Sequence, residues 1–140
     1  MMDPVNSLFV YGSLRSNFNS GGHQYINDYF NLIGVAKVKG KLYALKDYPA
    51  ALPTQEDCFI IGELYSISNL DEFSFAIKQL DDYEGVNTAT DGKPLYRREL
   101  TDIIINNKTV QSWIYWYNGD VEEKLFIASG DVMEYLRQIK

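Results

Sequence analysis

Only one long stretch of this chain reads firmly as an α-helix, Asn69 to Val86 (NLDEFSFAIKQLDDYEGV), and the segments around it have the β-branched and aromatic runs of strands. A single firm helix set among strands excludes a helical bundle. It also lacks the regular alternation of strand and helix that builds a parallel α/β sheet. The helix ends are marked. Ser68 or Asn69 can cap the start, Asp71 and Glu72 suit the positive end of the helix dipole, and Gly85 stands where a left-handed C-terminal cap is expected. Between them Leu70, Phe73, Ile77 and Leu80 recur at steps of three and four, the spacing of one buried face, and the next step lands on Glu84.

At about 100° per residue, Glu84 falls within roughly 10° of the centre of that stripe, Asp82 points about 170° away, and Asp81 lies near the edge. Glu84 also ends the helix, where the dipole disfavours an anion. Burial against Leu80 and Phe73 would raise its pKa further, giving a carboxyl able to take up and release a proton near neutral pH. The other reading is a helix that frays before Glu84 and leaves a solvated acid beside a glycine cap.

With 46% hydrophobic and 14% aromatic residues, 140 residues suffice for one core, so a single domain over 1–140 is expected. Thirteen basic against nineteen acidic residues give a net charge of −6, which argues against nucleic acid or an anionic membrane as partner. The longest apolar runs, such as Cys58 to Ile61, fall far short of the roughly 20 residues that span a bilayer. The opening MMDPVNSLFVYGS has no basic leader or long apolar segment, and Cys58 has no intrachain partner, so a cytoplasmic setting is expected. One Cys and one His make a zinc site improbable, no metal site is identified, and His23 reads as a surface or helix-start residue.

Ser7 to Tyr11 (SLFVY) reads as a buried strand that stops at Gly12 and Ser13. The amides of Ser13, Leu14 and Arg15 can form a small anion-binding concavity, or the segment is an ordinary turn with Ser13 bonding its own backbone. Ser16 to Gly22 reads as loop, and Gln24 to Leu32 as a short helix stopping near Gly34. Gly34 to Leu45 alternates Val35, Lys37, Lys39 and Lys41 with Ala36, Val38 and Leu42, a strand with one wet face and a bulge or bend at Gly40. Asp47 to Pro53 reads as an extended, proline-bounded segment. Cys58 to Ile67 is a further strand, in which Gly62 marks a bend or a close approach.

Asn87 to Pro94 reads as a loop with Asp91 and Gly92 at its tip. Tyr96 to Ile105 and Thr109 to Tyr117 form a hairpin about Asn106, Asn107 and Lys108, and aromatics on both faces of the second strand imply that both are covered. Asp120 to Glu123 reads as acidic loop and Asp131 to Ile139 as helix. Together these elements predict an α+β domain, a small, mainly antiparallel barrel with one main flanking helix. There is no Gly-x-Gly-x-x-Gly, no phosphate-loop lysine motif and no Gly-x-Ser-x-Gly nucleophile turn.

Four segments together, Phe9-Val10-Tyr11-Gly12-Ser13-Leu14-Arg15, Gly62-Glu63-Leu64-Tyr65, Leu80-Asp81-Asp82-Tyr83-Glu84-Gly85 and Leu95-Tyr96-Arg97-Arg98, resemble the γ-glutamylcyclotransferase-like family, including its γ-glutamylamine cyclotransferase and AIG2-like branches. The resemblance implies a small mixed barrel whose pocket lies between the Tyr-Gly-Ser-Leu loop and the glutamate of the Leu-Asp-x-x-Glu-Gly motif. It puts Glu84 in the place of the catalytic glutamate and Tyr11, Gly12, Ser13 and Leu14 in that of the substrate loop. Arg15 either adds charge pairing or is a solvated surface cation, Tyr96 matches a pocket tyrosine, and Arg97 and Arg98 read as structural or solvated. The implied chemistry closes a γ-glutamyl group into 5-oxoproline and frees an amine or amino acid. It needs no cofactor, because the nucleophile is the substrate's own α-amino nitrogen. A noncatalytic barrel that binds a small metabolite or a protein is the competing expectation. Neither the leaving amine nor the oligomeric state can be read from the residues.

Overall fold

The computed structural model describes residues 5–11, 26–44, 49–84, 96–119, 121 and 124–131, and at 83 and 84 the backbone alone. In chain order these carry β1 (Ser7–Val10), a helical stretch at 26–29, β2 (Phe30–Ala44), β3 (Pro49–Pro53) and β4 (Phe59–Ile67). A 3-10 turn (Leu70–Glu72) then runs into α1 (Phe73–Glu84), followed by β5 (Tyr96–Ile105), β6 (Lys108–Tyr117) and β7 (Leu125–Phe126).

β2, β4, β1, β6 and β5 lie side by side in that order, and β5 pairs back onto β2 at Lys37 and Ile104, closing a five-stranded barrel. β3 and β7 both add to the far end of β2. The ladders are antiparallel except β1 with β6, whose register pairs Leu8 with Trp113. The expected α+β barrel, mixed and mainly antiparallel with one main helix, is the fold observed.

Strand periodicity sorts the side chains into two cores. Inside the barrel lie Phe9, Ala36, Val38, Leu42, Ile60 and Trp116 with their neighbours. On the outer face of β1, β4 and β6, residues such as Leu8, Val10, Tyr65 and Tyr115 pack beneath Ala76, Ile77 and Leu80 of α1 and Ile26 of the preceding helical stretch. β6 is therefore aromatic on both faces because one faces the barrel interior and the other lies on the side covered by α1. Its hairpin to β5 turns through Asn106 and Asn107, at φ of 51° and 64°, the left-handed pair that a two-residue turn between twisted strands requires.

Two of the strand glycines, Gly40 and Gly62, make room inside the barrel. A Cβ at Gly40 would stand 2.6 Å from Ile60 Cδ1, and one at Gly62 would stand 2.6 Å from Phe9 Cζ. At Gly40 β2 also changes partner, from β4 up to Lys39 to β3 from Gly40 onward. The register shift in β2 lies elsewhere, between Leu32 and Gly34, where Ile33 is the extra residue.

Several expectations are corrected. Of the helix expected from Gln24 to Leu32, the described residues are helical over 26–29, and β2 begins at Phe30, whose pairing with Ile67 of β4 wins over local helical spacing. Leu70 is not on the buried stripe, because it sits in the 3-10 turn and is 68% exposed. The extended segment before Thr54 is strand β3, and the two-residue strand β7 has no counterpart among the expected elements. The expected loops Ser16 to Gly22 and Asn87 to Pro94, the Gly85 cap, His23 and the helix after Asp131 lie outside the described residues. No helix among the described residues is long and apolar enough to cross a membrane.

Candidate functional site

The register aligns four residues across adjacent barrel strands. Glu63 on β4 faces Val10 on β1, and Tyr115 on β6 faces Arg98 on β5. Extending the parallel pairing of Leu8 with Trp113 by two residues sets Val10 beside Tyr115. The row runs Glu63, Val10, Tyr115, Arg98. It lies where β1 ends and the chain departs toward Gly12, and the next row outward includes Tyr96 opposite Tyr117.

Helix α1 is fastened to this row by a buried carboxylate. Asp81, 7% exposed, accepts a 2.7 Å hydrogen bond from Arg98 Nε on Oδ1 and a 3.1 Å bond from Arg98 Nη2 on Oδ2. The Tyr115 hydroxyl donates to the same Oδ1 at 2.9 Å. The guanidinium lies 4.3 Å from the centre of the Trp113 ring, so its plane is held between an aromatic face and a carboxylate fork.

Tyr11, expected in the substrate loop, is buried, and its hydroxyl donates to the Tyr115 carbonyl oxygen at 2.5 Å. Tyr96 opens β5. Its ring packs edge-on to Tyr117 with centroids 5.5 Å apart, and its hydroxyl donates to the Pro49 carbonyl at 2.8 Å. Glu84 is the last residue of α1, one turn beyond Asp81, and its side chain is outside the described part. Gly12, Ser13, Leu14 and Arg15 are likewise outside it, immediately after Tyr11. Tyr11 lies in the barrel-interior core and Tyr96 with α1 in the outer one, so the described residues place them on opposite faces of the barrel wall, linked through Tyr115.

A family model described as "Gamma-glutamyl cyclotransferase, AIG2-like" matches residues 8–134. The chain belongs to this family. Membership makes it cyclotransferase-like in general type. Among solved structures it is similar to YkqA from Bacillus subtilis, at 23% identity and a TM-score of 0.69, covering 96% of this chain but only 43% of YkqA. It is similar to the protein ytfP from Escherichia coli at 27% identity, a TM-score of 0.62, and coverage of 96% and 99%. An AIG2-like protein from Mus musculus shares the fold at 18% identity and a TM-score of 0.64, covering 84% of this chain and 80% of its own. No curated protein sequence matches the chain.

Within this AIG2-like barrel two acids, Asp81 and Glu63, are buried. Asp81, expected near the edge of the helix stripe, is buried, and Arg98, expected to be structural or solvated, takes the structural role as its part-buried partner. The available signal was their spacing, since Asp81 follows Leu80 directly and Arg98 shares a strand face with Tyr96. Glu63, only 4% exposed, accepts a 3.1 Å hydrogen bond from the Tyr65 hydroxyl two residues on. Arg97, on the opposite face of β5, donates to the Tyr117 carbonyl and Asn118 Oδ1 and pairs with Glu99 at 3.2 Å, a structural role.

Among the described residues no cluster of three His, Cys, Asp or Glu is placed to hold a metal ion. A groove of about 230 Å³ bordered by Val35, Lys37, Ile104 and Asn107 lies at the hairpin end of β5, the opposite end from Tyr96. It is distinct from the candidate site.

Proposed function

We infer that this member of the family is an enzyme that converts a γ-glutamyl amine or γ-glutamyl amino acid to 5-oxoproline and free amine, as a single domain over 1–140. Glu84 carries the proton, Tyr11, Gly12, Ser13, Leu14 and Arg15 cradle the substrate, and Tyr96 borders the pocket. The observation that supports this most directly is the double use of Tyr115. Its carbonyl receives the Tyr11 hydroxyl and its own hydroxyl reaches Asp81, so one residue joins Tyr11 to the helix turn that ends at Glu84.

The reaction closes a five-membered ring within the substrate. The α-ammonium gives a proton to the Glu84 carboxylate, and the freed nitrogen attacks the γ-carbonyl carbon to form the lactam C–N bond. The role proposed for the amide N–H groups of residues 12–15 is to bind the α-carboxylate or the developing oxyanion. The bond from that carbon to the departing nitrogen then breaks as Glu84 returns the proton to it. In all, two protons leave the attacking nitrogen and two end on the departing one, so both sides carry one ammonium. Because attack is intramolecular, holding the substrate folded removes several kcal/mol of the barrier, on the order of what positioned neighbouring groups supply.

The net charge of −6 supports a small zwitterionic substrate over nucleic acid or an anionic membrane, and a lone cysteine supports a reducing compartment such as the cytoplasm. The test is a panel of γ-glutamyl amino acids and γ-glutamyl amines, with 5-oxoproline measured by mass spectrometry for the wild type and Glu84→Gln. Release by the wild type, lost in a folded Glu84→Gln, is expected. Full turnover by Glu84→Gln would overturn the assignment, and binding without turnover by the wild type would make the domain a ligand-binding module.

A further inference from the structure

We propose that Asp81 is a positioning residue for this reaction: through Arg98 and Tyr115 it fixes the last turn of α1, and with it the backbone of Glu84, relative to Tyr11 at the end of β1. The inference rests on the reading of Glu84 as the proton carrier. Asp81 precedes Glu84 by one turn, about 4.5 Å along the helix axis, so whatever sets the azimuth and height of the first sets the second.

The rest of the helix is held by contacts of a different kind. Ala76, Ile77 and Leu80 pack on the outer face of the barrel through apolar surface, which is non-directional and tolerates small rotations and slides. Three hydrogen bonds on one carboxylate do not. Two come from the rigid fork of Arg98, whose plane is backed by the Trp113 ring, and the third comes from Tyr115, the register partner of Arg98 on the neighbouring strand. All the donors stand on the β5 and β6 pair, so the turn is referenced to the barrel wall.

Stability alone does not account for such a pair. A buried ion pair gives little net gain over apolar residues of similar volume, because both charges lose their hydration. What it adds here is a fixed geometry next to the proton carrier. The same Tyr115 receives the Tyr11 hydroxyl through its backbone carbonyl, so the two sides of the site share one anchor.

Tyr115→Phe is the cleanest variant, since it deletes the bond to Asp81 while keeping the carbonyl that holds Tyr11. It is assayed with Arg98→Lys, which keeps the charge and loses the fork, and with Asp81→Asn. The substrate is the panel compound that the wild type turns over fastest, at a temperature where near-ultraviolet circular dichroism shows each variant folded. The expected result is a fall in kcat of about threefold for Tyr115→Phe and about tenfold or more for the other two, with KM within about twofold. Folded variants with wild-type kcat, or a loss confined to KM, would overturn the proposal. Glu84→Gln run in parallel separates the two claims: if it stays active, the Glu84 assignment fails and positioning fails with it. If it is inactive while the Asp81 network variants run at full rate, only positioning fails. Native-state amide exchange gives a readout without turnover. In Tyr115→Phe, faster exchange confined to the last turn of α1 is expected, and protection equal to wild type there would overturn the proposal.

Discussion

Gly62 on β4 and Val10 on β1 stand so close that a Cβ at position 62 would overlap the Val10 carbonyl oxygen. The obstacle is backbone on one side and the Phe9 ring, 2.6 Å away at Cζ, on the other. Neither can rotate aside without opening the ladder that leads to Tyr11. Gly62→Ala is therefore expected to cost about 2–3 kcal/mol, the upper range for overpacking, read as a lower urea midpoint with an unchanged slope. An unchanged midpoint would show that β1 and β4 separate easily.

The turn at Asn106 and Asn107 gives a test in the opposite direction. Both residues sit at positive φ, where asparagine is tolerated and glycine is at ease. Asn107→Gly should leave thermal stability unchanged or slightly raised. Asn107→Val, β-branched and forced into the same region, should lose about 1–2 kcal/mol.

For the Asp81 and Arg98 pair, stability and turnover are expected to separate. Arg98→Met strands a buried carboxylate and should cost about 3 kcal/mol by urea denaturation. Replacing the whole network, as Asp81→Leu with Arg98→Met and Tyr115→Phe, should recover most of that loss. Turnover should stay low in the triple variant, because apolar packing restores burial but not direction.

The surface pair of half-buried Lys41 and exposed Glu56 predicts a weak pH dependence with a definite sign. The hydrogen bond from Lys41, followed by its charge, holds the Glu56 carboxyl below its ordinary value of 4.5. The hydrogen bond to Glu56 holds Lys41 above its ordinary 10.5. A depressed carboxyl contributes stability above pH 4.5 that is lost as pH falls through the lower folded value. A raised lysine contributes below pH 10.5 and loses that contribution as pH rises through the higher folded value. Glu56→Gln should therefore differ from wild type between those limits and converge with it in acid. The difference should be small at neutral pH and shrink in about 1 M salt, because water screens both groups. A difference that persists in high salt would contradict this.

Much of the fold could be read from the chain because its local and long-range preferences agree. The Ala36, Val38 and Leu42 alternation, the Asn-Asn turn and the capped helix each carry a period or a turn chemistry that the tertiary structure keeps. Failure came where pairing partners far along the chain decide. Asn31, Leu32 and Ile33 are exposed and show no alternation, so nothing local marks them as strand, and only Ser66 and Tyr65 opposite Asn31 and Leu32 do so. At the candidate site, helix spacing and the family resemblance both point to Glu84, and the resemblance is what points to Gly12 to Arg15. The burial of Asp81 was not legible, since it depends on Arg98 and Tyr115 arriving from strands that follow the helix in sequence.

The parallel contact of Leu8 with Trp113 sets an order on biosynthesis. While the polypeptide emerges from the ribosome, β1 can gain β4 as a neighbour early, but its other edge has no partner until β6, Lys108–Tyr117, has been made. Barrel closure is therefore a late event joining sequence-distant pieces, which slows folding relative to a helical protein of equal size. In that interval the bare edge of β1 is the surface at which nascent copies of the protein are most prone to pair with one another, and a chaperone that shields it would be expected to raise the yield.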